Sequence, residues 1–464
     1  MDLVSIDWTN ISADAIGTEH GITEERLQAL RSPSRVALAA VRSRAEDDLR
    51  FQTLPAGGAW HDRLLAYAEE QKGRFENIVV LGIGGSALGN RALHTAMHSP
   101  FHEMFGAHGL PRLFVLDNVD PDLVGEFLDR VDPSTCLFNV ISKSGSTAET
   151  MSQFLIFRRA LIERVGKEAH AEHIVVTTDA NAGVLRPIVQ EEGYASFDVP
   201  DGVGGRFSVL SAVGLLSSAL IGIDTSGLLK GAADMDERCK TDELFENPAL
   251  MLAGIQSCMQ QEKNKPIAVT FAYGHRLRHL ADWYAQLLAE SIGKRLDRDG
   301  REVFAGPTPV RAVGVTDQHS QSQLYVEGPH DKWFTLLAIE HPDHHVSIPK
   351  EYGDRDALAY LGGRSLAELF EAEREGTRIA LTEAQRPNLT ISFPRVSEHT
   401  LGQYLYMMEL AVAVMGEHYG VDAFDQPGVE AGKIAAYGLM GRKGFEQRRG
   451  EIEAARAACP PRRL

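Results

Sequence analysis

Cysteine is scarce in this chain: Cys136, Cys239, Cys258 and Cys459 are the only four among 464 residues, and no two lie close together. That spacing offers neither a zinc site nor a disulfide framework, and unpaired thiols fit a cytoplasmic protein. Positive charge is also short. Lys and Arg number 47 against 64 Asp and Glu, a net charge of −17, which excludes sequence-independent binding to nucleic acid or to anionic membranes. An anionic ligand must then be held by a local basic site. No long apolar run is present either. The longest apolar helix candidate, Leu401 to Met415, contains Gln403 and Glu409 and is short for a membrane span, so it reads as a core helix. The N-terminus, Met1 to Asp7, is acidic and has no basic start or apolar stretch of the secretory kind.

The rest of the composition is that of a soluble α/β protein: 44% hydrophobic residues, 7% aromatics, 24% charged residues and 43 glycines. At this length two domains are expected. The first fifty or so residues look helical and polar. Strand candidates follow at Ile78 to Leu81, Leu113 to Leu116, Leu137 to Ile141 and Ile174 to Thr178, separated by helix-like stretches. A charged stretch, Asp224 to Glu246, reads as a linker, after which strands return at Ile267 to Phe271, Val310 to Val315, Phe334 to Ile339 and Leu389 to Phe393. Alternation of this type predicts an α/β fold of two tandem, doubly wound, mostly parallel sheets. The expected division is a helical segment over 1–55, α/β units over 56–225 and 240–440, and a basic helical tail over 441–464.

In such sheets ligands settle where loops converge at the carboxyl ends of strands. Ser142-Lys143-Ser144-Gly145-Ser146-Thr147 lies at one such end, between the strand Leu137 to Ile141 and a helix over Ala148 to Ala160. Backbone N–H groups and the positive helix end there face an anion, while hydroxyls and one ammonium complete a phosphate shell. The loop Gly82-Ile83-Gly84-Gly85-Ser86-Ala87 lies at another. It satisfies a dinucleotide fingerprint in form, but the first acidic residue at a following strand end is Asp117, too far along to hold a ribose. These glycines are better read as letting backbone approach a small ligand, with Ser86 offering a hydroxyl.

Four further segments carry groups able to do chemistry. Leu277, Leu280, Tyr284, Leu287 and Leu288 mark the buried face of a helix that stops at Gly293, and Gln286 and Glu290 share another side. A carboxylate in the last turn meets the carbonyl end of the helix, which disfavours its charge and suits it to taking a proton. The alternative is a surface Glu at a helix end. His319 follows the strand Val310 to Val315, with Asp317 as a possible N-cap, and is either a catalytic or a capping histidine. Arg206, in Gly202-Val203-Gly204-Gly205-Arg206-Phe207-Ser208, is placed to steady an oxyanion or to form a structural ion pair. Gln426, Glu430 and Lys433 share one face of a helix opened by Pro427, with a surface Glu430–Lys433 pair as the plain alternative. His341-Pro342-Asp343-His344-His345 lacks a helical pair of histidines and reads as a solvated loop, so no metal is expected there.

Taken together, G-G-R-F-S around Arg206, Q-L-L-A-E-S-I-G-K around Glu290, D-Q-H-S around His319 and Q-P-G-V-E-A-G-K around Lys433 resemble the glucose-6-phosphate isomerase family. They occur in the family's order, with S-K-S-G-S-T and G-I-G-G-S upstream, and Gln321 to Tyr325 follows its bacterial pattern. The resemblance implies two sugar-isomerase (SIS) domains, terminal helices wrapping a homodimer, and a hexose phosphate as substrate, with no cofactor or metal. It further implies that Ser142, Lys143, Ser144 and Thr147 hold the phosphate, and that Ser86 and Gln426 line the sugar site. His319, reaching in from the partner subunit and oriented by Glu149, would open the ring with Lys433. Glu290 would move the proton between C2 and C1, Gln286 would help place it, and Arg206 would stabilise the intermediate. The alternatives are a non-catalytic SIS-domain regulator that binds a sugar phosphate, and an isomerase of another hexose phosphate such as mannose 6-phosphate.

Overall fold

The computed structural model describes residues 2–106, 109–459 and 461–462. Among the described residues twelve strands are formed: β1 (Ser5–Asp7), β2 (Asn77–Leu81), β3 (Arg112–Leu116), β4 (Cys136–Ile141), β5 (Ile174–Asp179), β6 (Ala195–Val199), β7 (Ile267–Tyr273), β8 (Lys294–Leu296), β9 (Glu302–Ala305), β10 (Thr308–Gly314), β11 (Lys332–Ile339) and β12 (Asn388–Phe393). β8 and β9 form a small antiparallel pair. One sheet runs β3-β2-β4-β5-β6 with every neighbour parallel. The other runs β10-β7-β11-β12-β1, parallel except for β1, which pairs antiparallel with β12.

The two sheets repeat one plan. β2 lies between β3 and β4 as β7 lies between β10 and β11, so in each unit the chain first adds a strand on one side and then crosses to the other. Where it crosses, the loops leaving neighbouring strands diverge and open a crevice. All eight strands expected from the sequence are present. The parallel strands are near-continuous apolar runs because both faces are covered; β2 and β4 are buried at every position.

Two expectations are corrected. The segment over the first fifty or so residues is not wholly helical. It carries helices Glu24–Ala29 and Arg31–Arg42, but also supplies β1, the edge strand of the second sheet. Three residues, Ser-Ile-Asp, are too few for a period-two signal, and their pairing with Ile391 and its neighbours is visible only in three dimensions. The charged stretch Asp224 to Glu246 is not a linker through most of its length: Thr225–Arg238 is a helix, N-capped by Asp224, whose carboxylate accepts from the N–H groups of Ser226 and Gly227. Lys230 and Glu237 are exposed, Asp236 and Arg238 are half-buried against Arg42 and the Val4 carbonyl, and Leu228, Leu229, Ala232 and Met235 are buried. Gly231 and Gly402 let this helix approach Glu398–Tyr419 backbone to backbone, since a Cβ at Gly402 would stand 2.0 Å from the Leu228 carbonyl.

The apolar run around Leu401 to Met415 is indeed a core helix, Glu398–Tyr419, buried from Thr400 to Gly416. Gln403 is paid for by the N-terminal chain: its Oε1 accepts from Val4 N–H at 3.1 Å and its Nε2 donates to the Asp2 carbonyl at 2.8 Å. Among the described residues no helix is long and apolar enough to cross a membrane. All four cysteines are free thiols.

Candidate active site

A cleft of ≈ 370 Å³ opens between the loops that follow β2 and β4 and is closed by three more segments. The volume suits a small molecule. After β4 the chain turns through Gly145, which has φ +62°; a Cβ there would stand 2.4 Å from Leu185 N, so only glycine fits. Ser142 is buried under this turn, where its Oγ accepts from Gly145 N–H at 3.1 Å and lies 3.1 Å from Thr147 Oγ1. Ser144 and Ser146 face each other, Oγ to Oγ, at 2.9 Å and both line the cleft with Thr147. Thr147 is the N-cap of helix Ala148–Val165, yet its side chain makes no capping hydrogen bond. The first-turn N–H groups therefore remain free for an anion brought into the cleft.

The loop after β2 supplies Gly84 and Gly85. The close approach expected of these glycines is made to the protein itself: a Cβ at Gly85 would lie 2.2 Å from Gly205 O, and one at Gly84 would lie 2.8 Å from Gln286 Nε2. Their bareness brings the Arg206 turn and the Glu290 helix up to one wall of the cleft.

Arg206 is 4% exposed and every arm of its guanidinium is engaged. Nε donates to Ser291 Oγ at 2.7 Å, Nη1 to Gln426 Oε1 at 2.9 Å, and Nη2 to the carbonyls of Ala423 and Asp425 at 2.5 and 3.0 Å. Nη1 also stands 3.5 Å from Glu290 Oε2. Burial pulls its affinity for the proton down, opposed by the charges of Glu290, Asp425 and Asp422.

Glu290 sits in the last turn of helix Arg278–Ile292, whose face Leu277, Leu280, Tyr284, Leu287 and Leu288 is buried as expected. Its carboxylate lines the cleft, accepting from Gln286 Nε2 at 3.2 Å while Arg206 approaches the other oxygen. The carbonyl end of the helix is thus countered by two donors that hold the carboxylate in one orientation. Just beyond, Lys294 is buried and donates to the carbonyls of Glu290 and Ser291.

From the C-terminal side, helix Glu430–Leu439 brings Lys433 and Tyr437 to the cleft, and Gln426 precedes it. The surface pair is real too, with Lys433 Nζ 2.8 Å from Glu430 Oε1, so Lys433 does both. Tyr437 OH donates to Ser146 O at 3.4 Å, tying this helix to the hydroxyl-rich loop.

Of the residues singled out from the sequence, the structure brings Ser144, Thr147, Glu149, Arg206, Gln286, Glu290, Gln426 and Lys433 together in the cleft. Ser86 and Ser142 belong to its two loops but stand behind the lining, and Lys143 is exposed with Nζ directed at the Val203 carbonyl, 3.3 Å away. His319 is not at the cleft of its own chain. It is exposed at the start of helix Gln318–Glu327 and borders a separate hollow with Ser322 and Glu373. Asp317 occupies the N-cap position but does not cap: its carboxylate turns back to accept from Val313 N–H at 2.7 Å and Ser320 Oγ at 2.7 Å. His341, His344 and His345 are exposed in a loop, and among the described residues no three His, Cys, Asp or Glu side chains are grouped to hold a metal ion. Tyr437 and Lys294 carried no role in the sequence reading, although a lysine directly after the helix-stopping Gly293 is a signal for a capped helix end.

The phosphoglucose isomerase family profile matches residues 60–455. A glucose-6-phosphate isomerase of Carboxydothermus hydrogenoformans is 49% identical over 387 residues, 83% of each chain. One from Rubrobacter xylanophilus is 41% identical over 443 residues, covering 95% of this chain and 99% of its own. Among solved structures, a hypothetical protein of Thermus thermophilus superposes with a TM-score of 0.83 at 36% identity, over 95% of this chain and all of that one. A glucose-6-phosphate isomerase of Chlamydia trachomatis, at 23% identity and a TM-score of 0.81 over 94% and 90% of the two chains, shares the fold. With the motifs in place around one cleft and likeness running through most of its length, the chain belongs to the phosphoglucose isomerase family.

Proposed function

We propose that this protein interconverts glucose 6-phosphate and fructose 6-phosphate by proton transfer through a cis-enediol. The observation that carries the reading is the carboxylate of Glu290, fixed by Gln286 and Arg206 on one wall of a cleft whose far end offers serine and threonine hydroxyls and a free helix N-terminus. The phosphate sits among Ser144, Ser146 and Thr147, with Ser142 bracing the turn and Lys143 adding charge at its edge; Gln426 borders the sugar, with Ser86 in the glycine loop behind it. Ring opening moves the proton of the anomeric hydroxyl to the ring oxygen, a task for Lys433 and for His319 of the partner subunit, with Glu149 orienting the imidazole. The exposure of His319 away from its own cleft supports delivery across a homodimer interface.

Glu290 then takes the proton from C2 of the open aldose. The electron pair left on C2 forms the C1=C2 bond as the C1 carbonyl becomes an oxyanion, and Arg206 provides the fixed positive charge that lowers its energy. A proton passes from the C2 hydroxyl to that oxygen, and Glu290 returns its own proton to C1, leaving the ketose. The carboxylate ends as it began, and no step calls for a redox group. We further assign residues 56–225 and 240–440 to two SIS domains, supported by the shared strand order, and place the protein in the cytoplasm.

The test is turnover of glucose 6-phosphate by purified protein with chelator present; mannose 6-phosphate serves as the competing substrate. Production of fructose 6-phosphate with the higher kcat/KM is expected. Tight binding of the sugar phosphate without turnover would instead favour a regulator, and preference for mannose 6-phosphate would reassign the substrate. Sedimentation at twice the 50.9 kDa chain mass is expected for the dimer.

A further inference from the structure

The ammonium of Lys294 is buried beneath the cleft without touching it. It donates to the Glu290 carbonyl at 2.6 Å and the Ser291 carbonyl at 2.9 Å, two of the carbonyls that the end of helix Arg278–Ile292 leaves without intrahelical partners. On its other side stands Asp425 Oδ1, at 3.5 Å. Arg206 grips the same two segments from above. It bonds Ser291 through the hydroxyl and the Asp425 segment through backbone carbonyls. Glu290 and Ser291 are therefore held by both cations, and so is the Ala423–Asp425 turn that leads into Gln426 and Lys433.

Resting on the isomerase reading above, we propose that Lys294 is a positioning residue for the reaction, a charged rivet that fixes the Glu290 helix end to the segment delivering Gln426 and Lys433. A neutral cap would satisfy the carbonyls alone. The positive charge does two things more. It binds Asp425 across the joint, and it offsets the carbonyl end of the helix directly under the carboxylate that takes the proton. The charged groups around this joint are Arg206 from its turn, Glu290 on the helix, and Asp422 and Asp425 on the loop before Gln426. Glu149 and Lys433, the latter paired with Glu430, face the cleft beyond. Burial first, and the charge of Arg206 second, hold the Lys294 ammonium below the usual lysine range, so its charge is lost at a lower pH than that of an exposed lysine.

The experiment compares kcat, KM and the pH profile of kcat for the wild type, Lys294→Arg, Lys294→Gln and Lys294→Met, with thermal unfolding of each. Lys294→Gln keeps a donor for the carbonyls and loses the charge. It is expected to lower kcat about tenfold or more while KM stays within about twofold, since the phosphate grip is elsewhere. Lys294→Met should fall further, and Lys294→Arg should recover most of kcat. The alkaline limb of the profile should move to higher pH in Lys294→Arg, because guanidinium stays charged where the buried ammonium does not. Should the neutral variants not fold, Asp425→Asn takes their place. Asp425 is half exposed, and loss of its charge is expected to lower kcat about threefold with KM unchanged. Wild-type activity together with an undiminished kcat in Lys294→Gln, or in Asp425→Asn where that variant stands in, overturns the proposal. So does an alkaline limb unmoved in Lys294→Arg. An inactive wild type would instead overturn the isomerase reading itself.

Discussion

Arg206 shows how much one side chain does here. Its fork ties two separated stretches of chain, Glu290–Ser291 and Ala423 to Gln426, to its own turn from a site 4% exposed. A lysine carries the charge but cannot reproduce the planar fork, and would leave buried carbonyls and a hydroxyl without donors. Arg206→Lys is therefore expected to cost about 2–4 kcal/mol of stability by denaturant titration. It should also lower kcat/KM by at least about a hundredfold in a coupled assay, the scale of losing one aligned oxyanion donor. A variant of unchanged stability would show that the fork is dispensable. Arg206 and Glu290 were legible in the sequence because each sits in a stretch with local punctuation, a glycine turn or a helix stop. Tyr437 and Lys294 were not, because what they touch lies far off in sequence: Ser146 is 291 positions from Tyr437, and Asp425 lies across a separate loop from Lys294.

Helix Glu398–Tyr419 raises a different question. Gln403 finds the N-terminal backbone, but Glu409 is fully buried and neither carboxyl oxygen has a hydrogen-bond partner among the described residues. Burial drives its proton affinity well above the ordinary carboxylate range. The sign follows: the folded state keeps a proton that the unfolded chain releases above its usual value near 4.5, so stability from the protonated form is present at low pH and lost as pH rises. Replacing the group by an apolar one of similar size removes that penalty. Glu409→Leu is expected to stabilise the protein by about 1–3 kcal/mol at neutral pH, with a smaller gain near pH 4.5. A destabilised variant, or a gain equal at both pH values, would contradict this. The run Leu401 to Met415 was legible as a core helix from its apolar length alone. The helix Thr225–Arg238 was obscured because five charged residues are interleaved with its buried stripe.

Over the whole molecule the two tandem parallel sheets were readable, since each parallel strand is an apolar run between helical stretches; their common strand order was not. β1 was not, because a three-residue edge strand depends on a partner almost four hundred residues away. Three buried histidines contribute to the molecule's response to acid. Burial, then the charge of neighbouring histidines, pulls His94 to about 3 and His98 to about 4, while burial pulls His418 to about 4 between the hydroxyls of Ser34 and Ser257. Depressed values mean that the unfolded chain binds these protons first. The stability tied to these three histidines is full above pH 6.5 and falls as pH drops from there toward 4, opposite in sign to the contribution of Glu409. Urea titrations at pH 7 and pH 5 should show that loss, and His418→Gln should flatten it; equal slopes in the two proteins would contradict the assignment. The proposed chemistry turns on Glu290 as the group that carries hydrogen between adjacent carbons, and deuterium exchange examines that directly. In D2O with glucose 6-phosphate, the wild type should place solvent deuterium at C1 of the ketose product, while Glu290→Gln should bind the sugar phosphate yet exchange about a thousandfold more slowly. Exchange or interconversion at an undiminished rate in Glu290→Gln would contradict it.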